Sequence, residues 1–561
     1  MRWNEPFGEP AMNEQKPSFT VSGNIVDVVA GEIFPGRITV SDGVIQSVER
    51  TAGAGNHYIL PGLIDSHVHV ESSMLLPSEF ARLAVVHGTT ATVSDPHEIA
   101  NILGIEGVKF MIRNGQKVPF RFYFGAPSCV PATPFETSGS ELDAGALDEM
   151  LSWPEIFYLA EMMNFPGVLS GDPEVMAKLA LAKKYGKPVD GHAPGVLGDE
   201  AARYAAAGIS TDHECFTREE AIDKIKAGMK VLVREGSAAR NFDELIGLIE
   251  EYPDQIMFCS DDKHPDDLIR GHLNLLVVRA LKAGYRLMDV LRACTLNPVK
   301  HYGLDAGLLQ PGDKADFIVI DDPQNFKVYE TYIGGRKVAE HGKTLISSVN
   351  EEPPNRFNAL RLTPEMLRVK AEGNRIRVMQ AFDGQLITGS KTVDATIENG
   401  FVVSNTGEDV LKILVMNRYT PSEPVVGFIT GFGLKRGAVA STVAHDSHNI
   451  IAVGVDDESL ARAVNMLIET KGGITCADAS GSEKAELGLP LQVAGIMSAG
   501  DGYKVAEDYG RINLMVKRFG TALEAPFMTL SFMALLVIPE LKISDKGLFD
   551  GNAFSFTTLF A

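Results

Sequence analysis

The stretch LPGLIDSHVHVESSM, residues 60–74, decides how this chain is read. It opens on apolar β-formers broken by a Pro-Gly turn, then carries Asp65, His67 and His69. In a strand, residues i and i+2 point to the same side, so His67 and His69 share a direction. One HxH fits two readings: a buried strand running into a polar loop, or the start of a metal site.

Seven further runs of the same kind follow it: TTATVSDPHE, FRFYFGAPSC, IFYLAEMMNF, KPVDGHAPG, GISTDHECF, MKVLVREGS and QIMFCSDDKHP. Each is apolar at first and polar at its end. Helix-period stretches over 173–185, 199–207 and 218–227 separate several of them. This alternation signals βα units and a parallel sheet. Eight strands in about 240 residues match a TIM-like (β/α)8 barrel, whose active sites sit at the C-terminal strand ends.

The flanks have another texture. FTVSGNIVDVVAGEIFPGRITVSDGVIQSVER, before the barrel, reads as short strands joined by tight turns. GLLQPGDKADFIVIDD and VYETYIGGRKVAEHGK, after it, read the same way. The expected α/β organisation is therefore a composite β-sandwich from 1–60 plus 305–350 and a barrel over 61–304. EEPPNRFN then looks like a linker into a separate C-terminal α+β domain, 351–561.

Composition narrows the function. Lys and Arg number 52 and Asp and Glu 73, a net charge of −21. That sign argues against a nucleic-acid partner, which needs a basic footprint. Five scattered Cys with no CxxC indicate neither a disulfide framework nor a thiolate zinc cluster. The opening MRWNEPFGEP has no basic or apolar leader region, so a cytoplasmic protein is expected. The apolar stretch 527–538 is too short to span a bilayer and reads as core, so no membrane partner is expected.

The strand ends supply the chemistry. The fourth ends in Glu161, the fifth in His192, the sixth in His213, and the eighth in Asp261 and Asp262. A single buried His is more often a satisfied core residue than a ligand. Ligand-type residues at the same end of five strands favour a metal centre of imidazole and carboxylate groups. Six groups (His67, His69, Glu161, His192, His213 and Asp261) exceed one four-coordinate ion. Two divalent ions sharing a carboxylate are expected, with Glu161 as bridge. Such a pair, about 3.5–4 Å apart, lowers the pKa of bound water from about 15.7 toward ~7, which makes hydrolysis the default chemistry.

Together these residues resemble the amidohydrolase superfamily. The fuller set of HVHVESSM, DPHEI, PSCVPA, LAEMMNFPGV, REGSAARN, DDKHP and VAHDSHNI is similar to its adenine deaminase family. The resemblance covers nearly the whole chain, and Glu161 stands where many other members use a carboxylated Lys. It implies hydrolytic deamination of adenine to hypoxanthine and ammonia, in purine salvage. It also implies a manganese or iron pair, with zinc compatible, and a homo-oligomer (dimer or tetramer). By the same resemblance His67 and His69 bind one ion, His192 and His213 serve the other, and Glu161 bridges them or lies beside the bridging hydroxide. Asp261 is the last ligand and the proton acceptor.

Adenine C6 is a weak electrophile and its amine a poor leaving group. Glu161 is expected to deliver a proton to N1, while Asp261 takes a proton from the attacking water and passes it to the leaving amine. His97 and Glu98 are expected to reach the purine or an additional ion; the alternative is that Asp95 and His97 cap the next helix. Arg234 and Glu235 are expected to pair and hold their loop. Asp262 is expected to bind a substrate nitrogen or support Asp261. His448, in HDSHN over 445–449, is expected to reach the site if the third domain folds over the barrel mouth. Competing functions are an N6-methyladenine deaminase, a cyclic amidase (which Glu161 speaks against) and a catalytically silent metal-binding scaffold.

Overall fold

Eight short parallel strands stand within the eight apolar runs of the computed structural model. They are β1 (Leu63–Val68), β2 (Thr89–Ser94), β3 (Arg121–Ala126), β4 (Ile156–Met162), β5 (Val189–Gly191), β6 (Thr211–Asp212), β7 (Lys230–Arg234) and β8 (Ile256–Cys259). Residues 18–53, 55–479 and 485–561 are described; the MRWNEPFGEP opening lies outside them. Every residue of β1 and β2 is buried. Strands covered on both faces by their surroundings need such unbroken apolar runs.

The ladder runs β1 to β5 in order, and β6 to β8 form a second arc. Two single bridges join the arcs into a ring: Val189 with Ile209, and Val68 with Asp261. At the second closure the Asp261 amide donates to the His67 carbonyl at 2.9 Å, and the His69 amide to the Asp261 carbonyl at 3.2 Å. The barrel is thus closed by backbone that carries three of the expected ligands. Asp65, fully buried, locks this seam by accepting from the Ser260 amide at 3.0 Å and the Ser260 hydroxyl at 2.5 Å. Ile64, Val93, Tyr123, Tyr158, Leu232 and Met257 fill the interior.

The outer helices are locally encoded. In Pro173–Tyr185 the Asp172 side chain accepts from the Glu174 and Val175 amides, and Pro173 opens the first turn. Gly186 ends it at φ 65°, a left-handed conformation that glycine takes without a Cβ clash.

Strands from both flanks join one continuous eight-stranded ladder folded over its own core of Ile25, Ile38, Val40, Ile59 and Phe317. Its keystone is Tyr58–Pro61, which pairs in parallel with Phe19–Asp27 and antiparallel with Phe317–Ile320. Arg121 on β3 anchors this sheet to the barrel through Asp316, at 2.5 and 2.9 Å.

The C-terminal region holds a second eight-stranded sheet, mostly antiparallel, with helix Asp457–Thr470 on one face. The apolar stretch after Pro526 forms the wholly buried helix Pro526–Phe532. Among the described residues no helix is long and apolar enough to cross a membrane.

Candidate active site

The ends of β1, β4, β5, β6 and β8 converge on one buried cluster. Glu161, at the end of β4, is its centre. One carboxylate oxygen lies 3.3 Å from His69 Nε2 and 3.4 Å from His97 Nδ1. The other lies 2.8 Å from His192 Nδ1 and 3.2 Å from His213 Nε2. His67 Nε2 is 3.2 Å from His69 Nε2, and its ring stacks on His213 with centroids 4.1 Å apart. Gly191 lets the fifth and sixth strand ends approach: a Cβ there would lie 2.4 Å from the Thr211 carbonyl oxygen.

Asp261 completes the cluster from a left-handed backbone, φ 55°, which Asp tolerates better than most residues. Its Oδ1 is 3.2 Å from His69 Nε2 and 3.7 Å from His67 Nε2. Its Oδ2 accepts from Arg234 Nη1 at 2.7 Å. The same guanidinium grips Glu214, on the sixth strand end, through both terminal nitrogens. This corrects the expected Arg234–Glu235 pair. Successive strand residues point to opposite faces, and Glu235 instead meets Arg279 at 2.9 Å.

Burial opposes charge on both acids, but imidazoles and a guanidinium outweigh it. His192, His213 and His69 hold Glu161 well below the usual carboxylate range, and Arg234 with His69 does the same for Asp261. Burial pushes Asp262 up, His445 opposes and neighbouring Asp261 adds to the rise. Burial drives the His67 imidazole well below its ordinary range, with His213 and His69 adding to the effect.

The other expected contacts also gather here. The Asp95 carboxylate accepts from the His97 amide at 3.0 Å, so it shapes the turn into helix His97–Leu103. The His97 ring itself points into the cluster, its Nε2 3.4 Å from Asp446. Glu98 is clasped by two residues of the C-terminal loop, His445 and His448. Asp262 accepts from the Ser72 hydroxyl, and its Oδ1 lies 3.8 Å from His445. The HDSHN loop therefore does reach the barrel mouth. Sequence reasoning missed Glu214 and the inward role of Arg234; it singled out the HDSHN loop as a whole but not the partners of His445 and Asp446, which are Glu98 and His97. Glu214 is next to His213; besides Arg234, its Oε1 lies 3.6 Å from His213 Nε2 and 3.8 Å from His192 Nδ1, contacts that only the fold brings about.

A buried ion pair supports the two histidine loops. Lys224 Nζ lies 3.0 Å from Asp212, and both side chains are fully buried. Asp212 also accepts from the Ala193 amide at 3.0 Å, beside His192. Lys224 Nζ also lies 2.8 Å from buried Glu220, so Lys224→Met leaves two buried carboxylates without their cation, and we expect a loss of about 3–5 kcal/mol. A lowered melting temperature, partly recovered by adding Asp212→Asn, would bear this out; unchanged melting would count against it.

The donor set suits a divalent metal. His69 Nδ1 sits 3.1 Å from the Asp95 carbonyl, an arrangement that fixes the ring and leaves Nε2 facing the cluster. His97 Nδ1 lies 3.2 Å from an Asp95 oxygen, and the buried Nε2 of His192 has no hydrogen-bond partner. Several overlapping groups place their ligand atoms within 4.8 Å of one another, among them His69, Asp95, His97 and Glu161; His67, His213 and Asp261; and Glu161, His192 and His213.

Comparison with known proteins agrees with this chemistry. A profile of the amidohydrolase family matches residues 58–338, and one for the adenine deaminase C-terminal domain matches 385–555. The chain is 55 % identical to an adenine deaminase of Salinibacter ruber over 545 residues, covering 97 % of this chain and 99 % of the relative. It is 52 % identical to an adenine deaminase of Methanosarcina acetivorans over 550 residues (96 % and 99 %). Against one of Borreliella burgdorferi the identity is 46 % over 546 residues (96 % and 99 %).

Proposed function

The chain belongs to the adenine deaminase family of amidohydrolases, and from that premise we propose that it hydrolyses adenine to hypoxanthine and ammonia. One observation carries the reading onto these residues: both oxygens of Glu161 face imidazoles from different strands.

We assign His67, His69, Glu161, His192, His213 and Asp261 to hold two divalent ions, with Asp95 and His97 as further donors. Imidazole and carboxylate groups suit manganese, iron or zinc. When bound, the ions supply Lewis-acid activation of water at neutral pH.

The chain's own groups move the protons. Arg234 holds Asp261 Oδ2, and Oδ1, which faces His69 and His67, is assigned to take a proton from water and return it to the departing amine. Glu161 is assigned to bridging alone, because the imidazoles around it hold it in its charged form, with no proton to deliver. Asp262, which accepts from the Ser72 hydroxyl beside the cluster and whose carboxyl burial pushes up, is assigned to donate a proton to N1 of the ring and to recover one from the new C6 hydroxyl as it becomes the carbonyl. Glu98, held by His445 and His448, is assigned to bind the edge of the base.

An ammonia-release assay with adenine, 6-methylaminopurine, adenosine and hydantoin, run with metal content per chain, tests the reading. Turnover of adenine with bound metal supports it. Turnover of hydantoin but not adenine, or none at all in the metal-loaded protein, would overturn it. His448→Ala removes one buried charged hydrogen bond from Glu98, worth about 1.5–3 kcal/mol, so kcat/KM for adenine should fall ~10–100-fold. Unchanged kinetics in that variant would make the loop structural.

A further inference from the structure

The catalytic cavity is too small for a two-ring base. Lined by the donor cluster and by Leu386, Phe532 and Leu535, it measures about 30 Å³. That is room for one or two waters. His192 is the most exposed of the expected ligands, and its side chain is only 9 % exposed. A purine therefore reaches the site only after part of the wall moves.

A second cavity, of about 400 Å³, lies against this wall between barrel loops and the C-terminal region. Met163 lines both spaces. The other walls continue one another along the chain. His192 of the inner space leads to Pro194 of the outer, Glu214 to Phe216, Leu386 to Ile387, and Leu535 to Val537. The most exposed ligand thus sits on the loop shared by the two. At the outer rim Phe216, Ile387 and Phe554 are 36 %, 40 % and 46 % exposed.

Resting on the adenine reading above, we propose that the outer cavity is the entry site for the free base and Met163 its inner gate. The volume lies in the range of small-molecule sites. Aromatic and aliphatic walls suit a flat, uncharged heterocycle. A chain carrying −21 net charge disfavours an anionic nucleotide there. Met163 is unbranched and can swing aside without backbone movement, while Phe532 and Leu535 belong to the wall that must move.

The test uses the folded holoenzyme. All five native cysteines are buried, so Ile387→Cys offers a selective attachment point at the rim. Monobromobimane on that thiol should lower kcat/KM for adenine roughly tenfold or more relative to the same variant unlabelled, because entry limits encounter. Metal content should stay constant, and methyl methanethiosulfonate, a small adduct, should cost much less. Phe554→Cys, across the rim, carries the same expectation. Leu514→Cys, 61 % exposed on helix Gly502–Arg518 and outside both cavities, should be indifferent to labelling. Full kcat/KM after bimane labelling at both rim positions, or equal losses from large and small adducts, would overturn the proposal. Absence of adenine turnover in the unmodified enzyme would instead overturn the reading beneath it.

Discussion

Asp261→Asn is expected to lower kcat for adenine by roughly 10²–10⁴-fold, the usual contribution of a positioned acid–base group. The amide keeps the shape of the carboxylate, and its oxygen can still accept from Arg234. That guanidinium also keeps its grip on Glu214. Melting behaviour should therefore stay close to that of the parent while proton transfer is lost. Because Arg234 and His69 outweigh burial and hold Asp261 well below the usual carboxylate range, the parent's base stays charged as pH falls. An acid limb in the rate profile must then come from another group. Ammonia release and metal content, measured on both proteins, decide the matter; a variant with near-parental kcat ends the role.

Glu161→Gln is the second large effect. Four imidazoles share one carboxylate, and a neutral amide offers them one acceptor and removes the charge. Loss of even an outer partner weakens metal binding about 10–100-fold. This substitution strikes a donor itself, so at least that loss is expected, with turnover falling alongside it. Equilibrium dialysis against manganese gives the measurement. Parental stoichiometry and affinity in the variant would show that Glu161 only orients its neighbours.

The barrel was legible because parallel strands buried on both faces leave unbroken apolar runs with polar ends. LPGLIDSHVH and QIMFCSDD declared their direction, and His67, His69 and Asp261 meet where the ring closes. Pairing across strands was less legible. Arg234 sits beside Glu235 in the chain, yet strand alternation sends it to Glu214 and Asp261 instead. Nothing local distinguishes Glu214 from a surface acid following a histidine. The HDSHN loop stood out by its two His and Asp, but the partners of His445 and Asp446 emerge only once the C-terminal region covers the mouth and puts them against Glu98 and His97.

The keystone strand Tyr58–Pro61 has a consequence for how this chain is born. One of its edges can be satisfied at once by Phe19–Asp27, but the other waits for Phe317–Ile320. At ribosomal speeds of about 5–20 residues per second, that wait lasts on the order of 10–50 s. For that interval the nascent polypeptide carries a bare β-edge, so its hazard is greatest midway through synthesis, before the finishing strands arrive.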